Sequence, residues 1–186
     1  MINWLRKQWF YIVYFLCGRN PIVNGIPNFE SYDFADDQWE SDPVGMLRTK
    51  DYTQTYGTVV YKAVLNGEFK ESIWPCIWLV YIGAGCYYEI DIELMQGKKR
   101  PYLVFTVWIN PESGTPIAVK RIGFRKKSFI NKLRTETHEF TIVWDDKKVK
   151  YYINNILSGV IKGDVSEPMN IMAGNVEMEF IKAYKR

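Results

Sequence analysis

From Cys86 to Gln96 polar and apolar residues alternate with a period of two. That period belongs to a β-strand, because successive side chains on a strand point to opposite faces. Tyr88, Ile90, Ile92 and Leu94 share one face, which is wholly apolar. Tyr87, Glu89, Asp91, Glu93 and Met95 share the other, which carries three carboxylates in a row. The first face reads as core and the second as an acidic line along the floor of something open. A chain containing this strand must build a sheet with one buried face and must do something with the other.

The acidic face is costly. Same-face neighbours lie only about 6.6 Å apart along a strand, and Asp and Glu are depleted in strands. Like charges at that spacing push at least one carboxylate pKa upward. Cleavage of a glycosidic bond needs that condition, with one carboxylate ionised as nucleophile or base and another protonated as general acid. A half-buried strand with an acidic solvent face satisfies the same pattern, so the stretch alone leaves both readings open.

Flanking segments carry more. Upstream stands Ile73-Trp74-Pro75-Cys76-Ile77-Trp78-Leu79. Together with Glu89-Ile90-Asp91-Ile92-Glu93 it resembles glycoside hydrolase family 16, the endo-acting β-glucanases and galactanases, whose signature is a Glu-x-Asp-x-Glu strand preceded by Trp-Pro-x-x-Trp. Thr137 to Trp144, followed by Val149 to Asn155, is similar to the family's aromatic hairpin. Met178 to Tyr184 is similar to its closing strand. The resemblance runs from about Phe29 to the C-terminus. It implies an all-β fold, the antiparallel β-sandwich of the concanavalin-A-like jelly roll. Many short strands separated by Gly, Pro and Asn turns agree with that class.

The resemblance also implies roles. Glu89 would be the nucleophile, Glu93 the general acid/base, and Asp91 the residue that orients and tunes Glu89 in a retaining mechanism. Trp74 and Trp78 are four residues apart and would face the substrate. Tyr87, Trp108 and Asn110 are further candidates for sugar contact. The polymer would be a β-1,3- or β-1,3-1,4-glucan or a galactan. One strand departs from the family pattern: Tyr56 to Leu65 lacks the expected Glu and places Lys62 near the usual Arg. A second class of function stays open beside hydrolysis. It is a carbohydrate-binding or structural jelly roll within a larger assembly, on a virion or cell surface, with little or no hydrolase activity.

Other classes are disfavoured by inventory. A single histidine, His138, rules out multi-histidine zinc chemistry. No Gly-rich phosphate loop is present. The three cysteines, Cys17, Cys76 and Cys86, have no metal spacing, although Cys76 and Cys86 sit on strands joined by a short turn and have the opportunity to pair. No cofactor is expected. The acidic stretch with Asp33, Asp36, Asp37, Glu40 and Asp42 offers oxygen ligands for a structural calcium but matches no calcium-loop spacing.

The 186 residues, 47% of them apolar, suit one domain with a substantial core. A net charge of +3 gives no reason to expect nucleic acid. The basic run from Ala118 to Arg134 lacks the aromatic interleaving that a nucleic-acid platform would need. It reads as a solvated face or as a site for an anionic ligand such as a sulfated or uronic polysaccharide. No apolar run reaches the ~18 residues of a membrane span. Residues 1–20 form a separate aromatic segment before a domain at 21–186. Arg6 and Lys7 precede an apolar run from Trp9 to Cys17, as in an export signal, yet no small-x-small cleavage site follows. An ordered segment packed on the domain or docking on a protein partner is the expectation. Extracellular, cell-surface or virion placement accompanies these readings. Asn66-Gly67 reads as a hairpin turn.

Overall fold

A computed structural model describes residues 31–33, 39–41, 46–49, 52–69, 74–83, 86–110 and 117–185. Residues 1–20, the acidic side chains between Asp33 and Asp42, and the side chains of Cys86, Tyr87 and Asn110 lie outside what it describes.

The alternation around Ile90 is repeated along the chain, and the result is two stacked sheets. Their strands are β1 (Ser31–Asp33), β2 (Trp39–Ser41), β3 (Met46–Thr49), β4 (Gly57–Val64), β5 (Cys76–Gly83), β6 (Cys86–Met95), β7 (Tyr102–Asn110) and β8 (Ile117–Phe124). After a helix, α1 (Lys127–Thr135), come β9 (His138–Trp144), β10 (Lys148–Ile153), β11 (Ile156–Lys162), β12 (Asn170–Gly174) and β13 (Glu177–Lys185). One sheet has the order β1-β13-β4-β9-β10-β11 and the other β2-β3-β12-β5-β6-β7-β8. The β-sandwich expectation is met, with antiparallel pairing such as that of β6 with both of its neighbours.

The apolar faces meet between the sheets. Ile90, Ile92 and Leu94 of β6 are fully buried beside Ile77 and Leu79 of β5 and Leu103, Phe105 and Val107 of β7. Val59, Tyr61 and Ala63 of β4, with Phe140, Ile142 and Trp144 of β9, supply the opposite side. Each such aliphatic or aromatic side chain contributes roughly 1.5–3 kcal/mol on burial. That stabilisation allows β6 to carry an unfavourable outer face.

Turn chemistry sets register. Asn154 and Asn155 both have positive φ, 49° and 63°, and join β10 to β11 in a two-residue hairpin. Asn66-Gly67 does not make the hairpin its sequence suggests. β4 and β5 belong to different sheets, so the chain crosses the sandwich there. Cys76 pairs with Glu93 and Cys86 with Gly83, at opposite ends of one ladder. Roughly 23 Å of strand separates the two cysteine backbones, too far for a disulfide, and Cys76 is a free thiol.

Helix α1 is absent from the sequence reading, which treats its residues as part of a basic run. Its signal is short: Phe129, Ile130 and Leu133 recur at helical spacing among cations. Ile130 and Leu133 are buried, and the Leu133 carbonyl accepts a hydrogen bond from the Leu65 backbone N–H at 2.9 Å. The helix thus closes one end of the sandwich. Leu133→Ala is expected to cost about 2–5 kcal/mol by urea unfolding; an unchanged midpoint would remove the helix from the core.

Candidate active site

β6 lies between β5 and β7, and their registers place three rows across the outer face. Glu89 stands between Val80 and Trp108, Asp91 between Trp78 and Thr106, and Glu93 between Cys76 and Val104. Asp91 and Thr106 have almost no solvent exposure, at 2% and 0%, while Glu89 and Glu93 are half-buried. Trp78, Val80 and Val104 are also buried, yet they stand outside the inter-sheet core. The acidic line is therefore closed over in its middle and reached through its two glutamates.

Two indoles hold the carboxylates. Trp108 Nε1 donates to Asp91 Oδ2 at 2.8 Å, and Trp74 Nε1 donates to Glu93 Oε1 at 2.9 Å. Both bonds run diagonally between strands, because Trp108 is directly opposite Glu89 and Trp74 precedes Cys76, the partner of Glu93. The roles expected of these tryptophans change accordingly. Trp74 and Trp108 each donate their N–H to one of the acids. Trp78 lies opposite Asp91 and is 7% exposed, so it packs beside the acid and offers little surface. Pro75 comes just before β5, and its carbonyl accepts a hydrogen bond from the Leu94 N–H at 2.8 Å.

Burial pushes the Asp91 carboxyl well above the usual carboxylate range, and the charges of Glu89 and Glu93 push it further. A hydrogen bond between the Asp91 and Glu89 side chains acts in the same direction, against the smaller opposing effect of Trp108. Asp91 Oδ1 is buried and receives no hydrogen bond from the described residues. The raised pKa favours the neutral form of Asp91, whose hydroxyl is able to donate to Glu89. Burial, and after it the acidic line with Glu93 foremost, pushes the Cys76 thiol well up, which makes it a poor nucleophile.

Support comes from the other sheet. Tyr61 of β4 donates its hydroxyl to the Trp78 carbonyl at 3.0 Å, and Tyr151 of β10 donates to the Thr106 carbonyl at 2.9 Å. Trp78 and Thr106 are the two residues flanking Asp91, so the buried phenols tie both neighbouring strands to the back sheet at its level. The Tyr151 ring stacks on Phe105 with centroids 4.6 Å apart.

The strand expected to vary lies elsewhere. Lys62 is in the six-stranded sheet, half-exposed, and pairs with Glu179 at 2.5 Å. His138 also belongs to that sheet, where its Nδ1 meets the Asn154 amide at 2.8 Å. Among the described residues no group of three His, Cys, Asp or Glu is placed to hold a metal, and no helix is long and apolar enough to cross a membrane.

An antiparallel β-sandwich with three acids on the outer face of one sheet defines the class. The chain belongs to the glycosyl hydrolases family 16, whose family model matches residues 32–183. Solved structures share the fold. The laminarinase catalytic domain of Thermotoga maritima MSB8 is 19% identical, with TM-score 0.58, covering 83% of this chain and 80% of that one. The kappa-carrageenase of Pseudoalteromonas carrageenovora is 12% identical, with TM-score 0.59, covering 76% and 68%. The Bacillus licheniformis β-glucanase is 12% identical, with TM-score 0.56, covering 88% and 95%. No curated protein sequence matches the chain.

Two predictions follow from the geometry. The native fold holds the Asp91 carboxyl well above its usual range, whereas the unfolded chain titrates it near pH 3.9. Stability from this group is full below that pH and declines as pH rises toward the folded-state pKa. Asp91→Asn removes the decline, so the variant is expected to match or exceed the parent at neutral pH, with the difference shrinking toward about pH 4. Urea melts across that range check it, and a pH-independent difference would mean that Asp91 titrates alike in both states. Separately, Tyr61→Phe and Tyr151→Phe are each expected to lower stability by about 1 kcal/mol. Unchanged melts would show that the cross-sheet bonds carry no weight.

Proposed function

We propose that the protein is an endo-acting glycoside hydrolase that cleaves a β-linked polysaccharide, a β-1,3- or β-1,3-1,4-glucan or a galactan, with retention of configuration. Asp91 carries the reading: it is buried between two half-exposed glutamates, and that burial holds its pKa well above the usual range. Family membership supports the hydrolase class. The assignment of roles rests on the arrangement of the acids.

In this mechanism the Glu89 carboxylate attacks the anomeric carbon while Glu93 gives its proton to the departing glycosidic oxygen. A covalent glycosyl ester on Glu89 results. Water then attacks the same carbon, Glu93 takes the water proton, and Glu89 leaves as carboxylate. Asp91 donates its hydrogen bond to Glu89. That bond is strongest when Glu89 is charged, so it stabilises Glu89 as nucleophile before attack and as leaving group afterwards. Trp74, fixed on Glu93 by its N–H, sets the direction from which the acid meets the glycosidic oxygen. The ring faces of Trp74 and Trp108 are the sugar-stacking surfaces in this reading, with Tyr87 and Asn110 placed by register at the far end of the same strand pair. The action is on polymer outside the cell.

A reducing-end assay on laminarin, lichenan, agarose, carrageenan and xyloglucan tests the proposal. One polymer is expected to be cleaved, and Glu89→Gln is expected to lose at least about 1,000-fold in kcat while its melting temperature is kept. NMR of the first product anomer reads retention directly. Full activity in Glu89→Gln would take Glu89 out of the mechanism. Silence on every polymer, with binding retained, would favour the carbohydrate-binding reading.

A further inference from the structure

Six cations gather beside the acidic line from two separate segments. The β6–β7 turn carries Lys98, Lys99 and Arg100, and the junction of β8 with α1 carries Arg125, Lys126 and Lys127; all six are exposed. Pairing of Met95 with Tyr102 and of Leu103 with Phe124 brings the two segments to one end of the sheet. Among the described residues none of the six has an ion-pair partner within 4.0 Å. Like charges clustered in this way repel one another. Lys126 and Lys127 add to the cost because they stand at the positive end of the helix, whose first turn holds no acidic residue.

An aromatic ring joins this cluster to the site. Tyr102 has the outer-face parity of β7, one same-face step beyond Val104, the partner of Glu93. The Arg125 guanidinium lies over its ring, 5.0 Å from the centroid. The turn is held against the same ring at Gly97, where a Cβ would come within 2.6 Å of the Arg100 carbonyl oxygen and 3.0 Å of Tyr102. On the other side, a Cβ at Gly123 would make ordinary contact, 3.8 Å from the Leu103 carbonyl oxygen and 3.9 Å from the Tyr102 ring. Positive charge and an aromatic ring thus stand at the Glu93 end of the acidic line.

We propose that this ledge binds the acidic groups of the polymer, which makes the substrate an anionic polysaccharide bearing sulfate esters or uronates. The inference rests on the hydrolase reading for its location and names the substrate class of that site. A sugar unit lies against Tyr102 and its anionic groups meet the surrounding cations. The ring at the edge of the acidic line favours a glycan over other polyanions.

The test separates binding from cleavage. Binding is measured with the full chain carrying Glu89→Gln, so that no polymer is consumed. Kappa-carrageenan, as the sulfated polymer, is expected to bind at least about tenfold more tightly than neutral laminarin at low salt, and to weaken steeply between about 50 and 200 mM salt. Adding Lys98→Ser, Lys99→Ser and Arg100→Ser is expected to erase that preference and flatten the salt dependence. Arg125→Gln is expected to reduce the preference in part, with circular dichroism showing each variant folded. A triple variant that keeps the parent's preference overturns the proposal. So does a parent that binds polyuridylate or phosphatidylserine vesicles as tightly as carrageenan, because the cluster would then be a general polyanion surface. Cleavage by the Glu89 parent is scored apart. Carrageenan binding lost in the triple variant, with no polymer cleaved, keeps the ledge and removes the hydrolase. Laminarin cleavage without any preference for the sulfated polymer does the reverse.

Discussion

Asp91 is the point on which the site depends. A carboxyl group with 2% exposure, between two others, cannot hold its charge without large cost. The raised pKa lowers that cost, because the neutral form is no third repelling charge and is able to donate to Glu89. Its neighbours follow from that choice. Trp108 satisfies one of its oxygens, and Trp74 performs the corresponding service for Glu93. The two strands that supply these residues' surroundings are tied from behind by Tyr61 and Tyr151. The apolar face of β6 then offsets the strain of its polar face with three fully buried aliphatic side chains.

Much of this arrangement is legible in the sequence because it depends on a period and on short turns. Alternation alone separates Ile90, Ile92 and Leu94 from Glu89, Asp91 and Glu93. The turn from Gly97 to Pro101 is short, so pairing Met95 with Tyr102 puts Trp108 opposite Glu89. The contact it makes with Asp91 is one diagonal step further, and a long aromatic side chain can make that step. Tyr61 and Tyr151 lie beyond such reasoning. They reach the site across the core, and no local pattern states how two sheets stack. Helix α1 is hidden for another reason: nine residues with two buried contacts give a weak period inside a strongly basic run. Asn66-Gly67 has hairpin chemistry but joins different sheets, a choice made by tertiary packing.

The places where the chain follows the family pattern and the places where it departs from it are separated in space. The acids of β6 and the Trp74–Trp78 pair beside them follow it, and Trp108 of β7 joins the acids on the same outer face. Lys62, at the departing strand, lies in the other sheet with Glu179 as its partner. The altered strand turns Lys62 away from the acids, while its Tyr61 reaches the Trp78 carbonyl beside Asp91. The first three side chains to relieve, were the fold alone at stake, would be those acids. Replacing a buried carboxyl by a neutral side chain of similar size removes a desolvation cost and the repulsion of two neighbours. A domain that serves only as a scaffold gains stability from such a change. A sheet that buries one acid between two others, positions two indoles on them and anchors the flanking strands from behind has a use for the acids themselves. The energetic conflict on β6 thus favours chemistry over architecture, as local violations of folding rules do when the surrounding structure is built to sustain them.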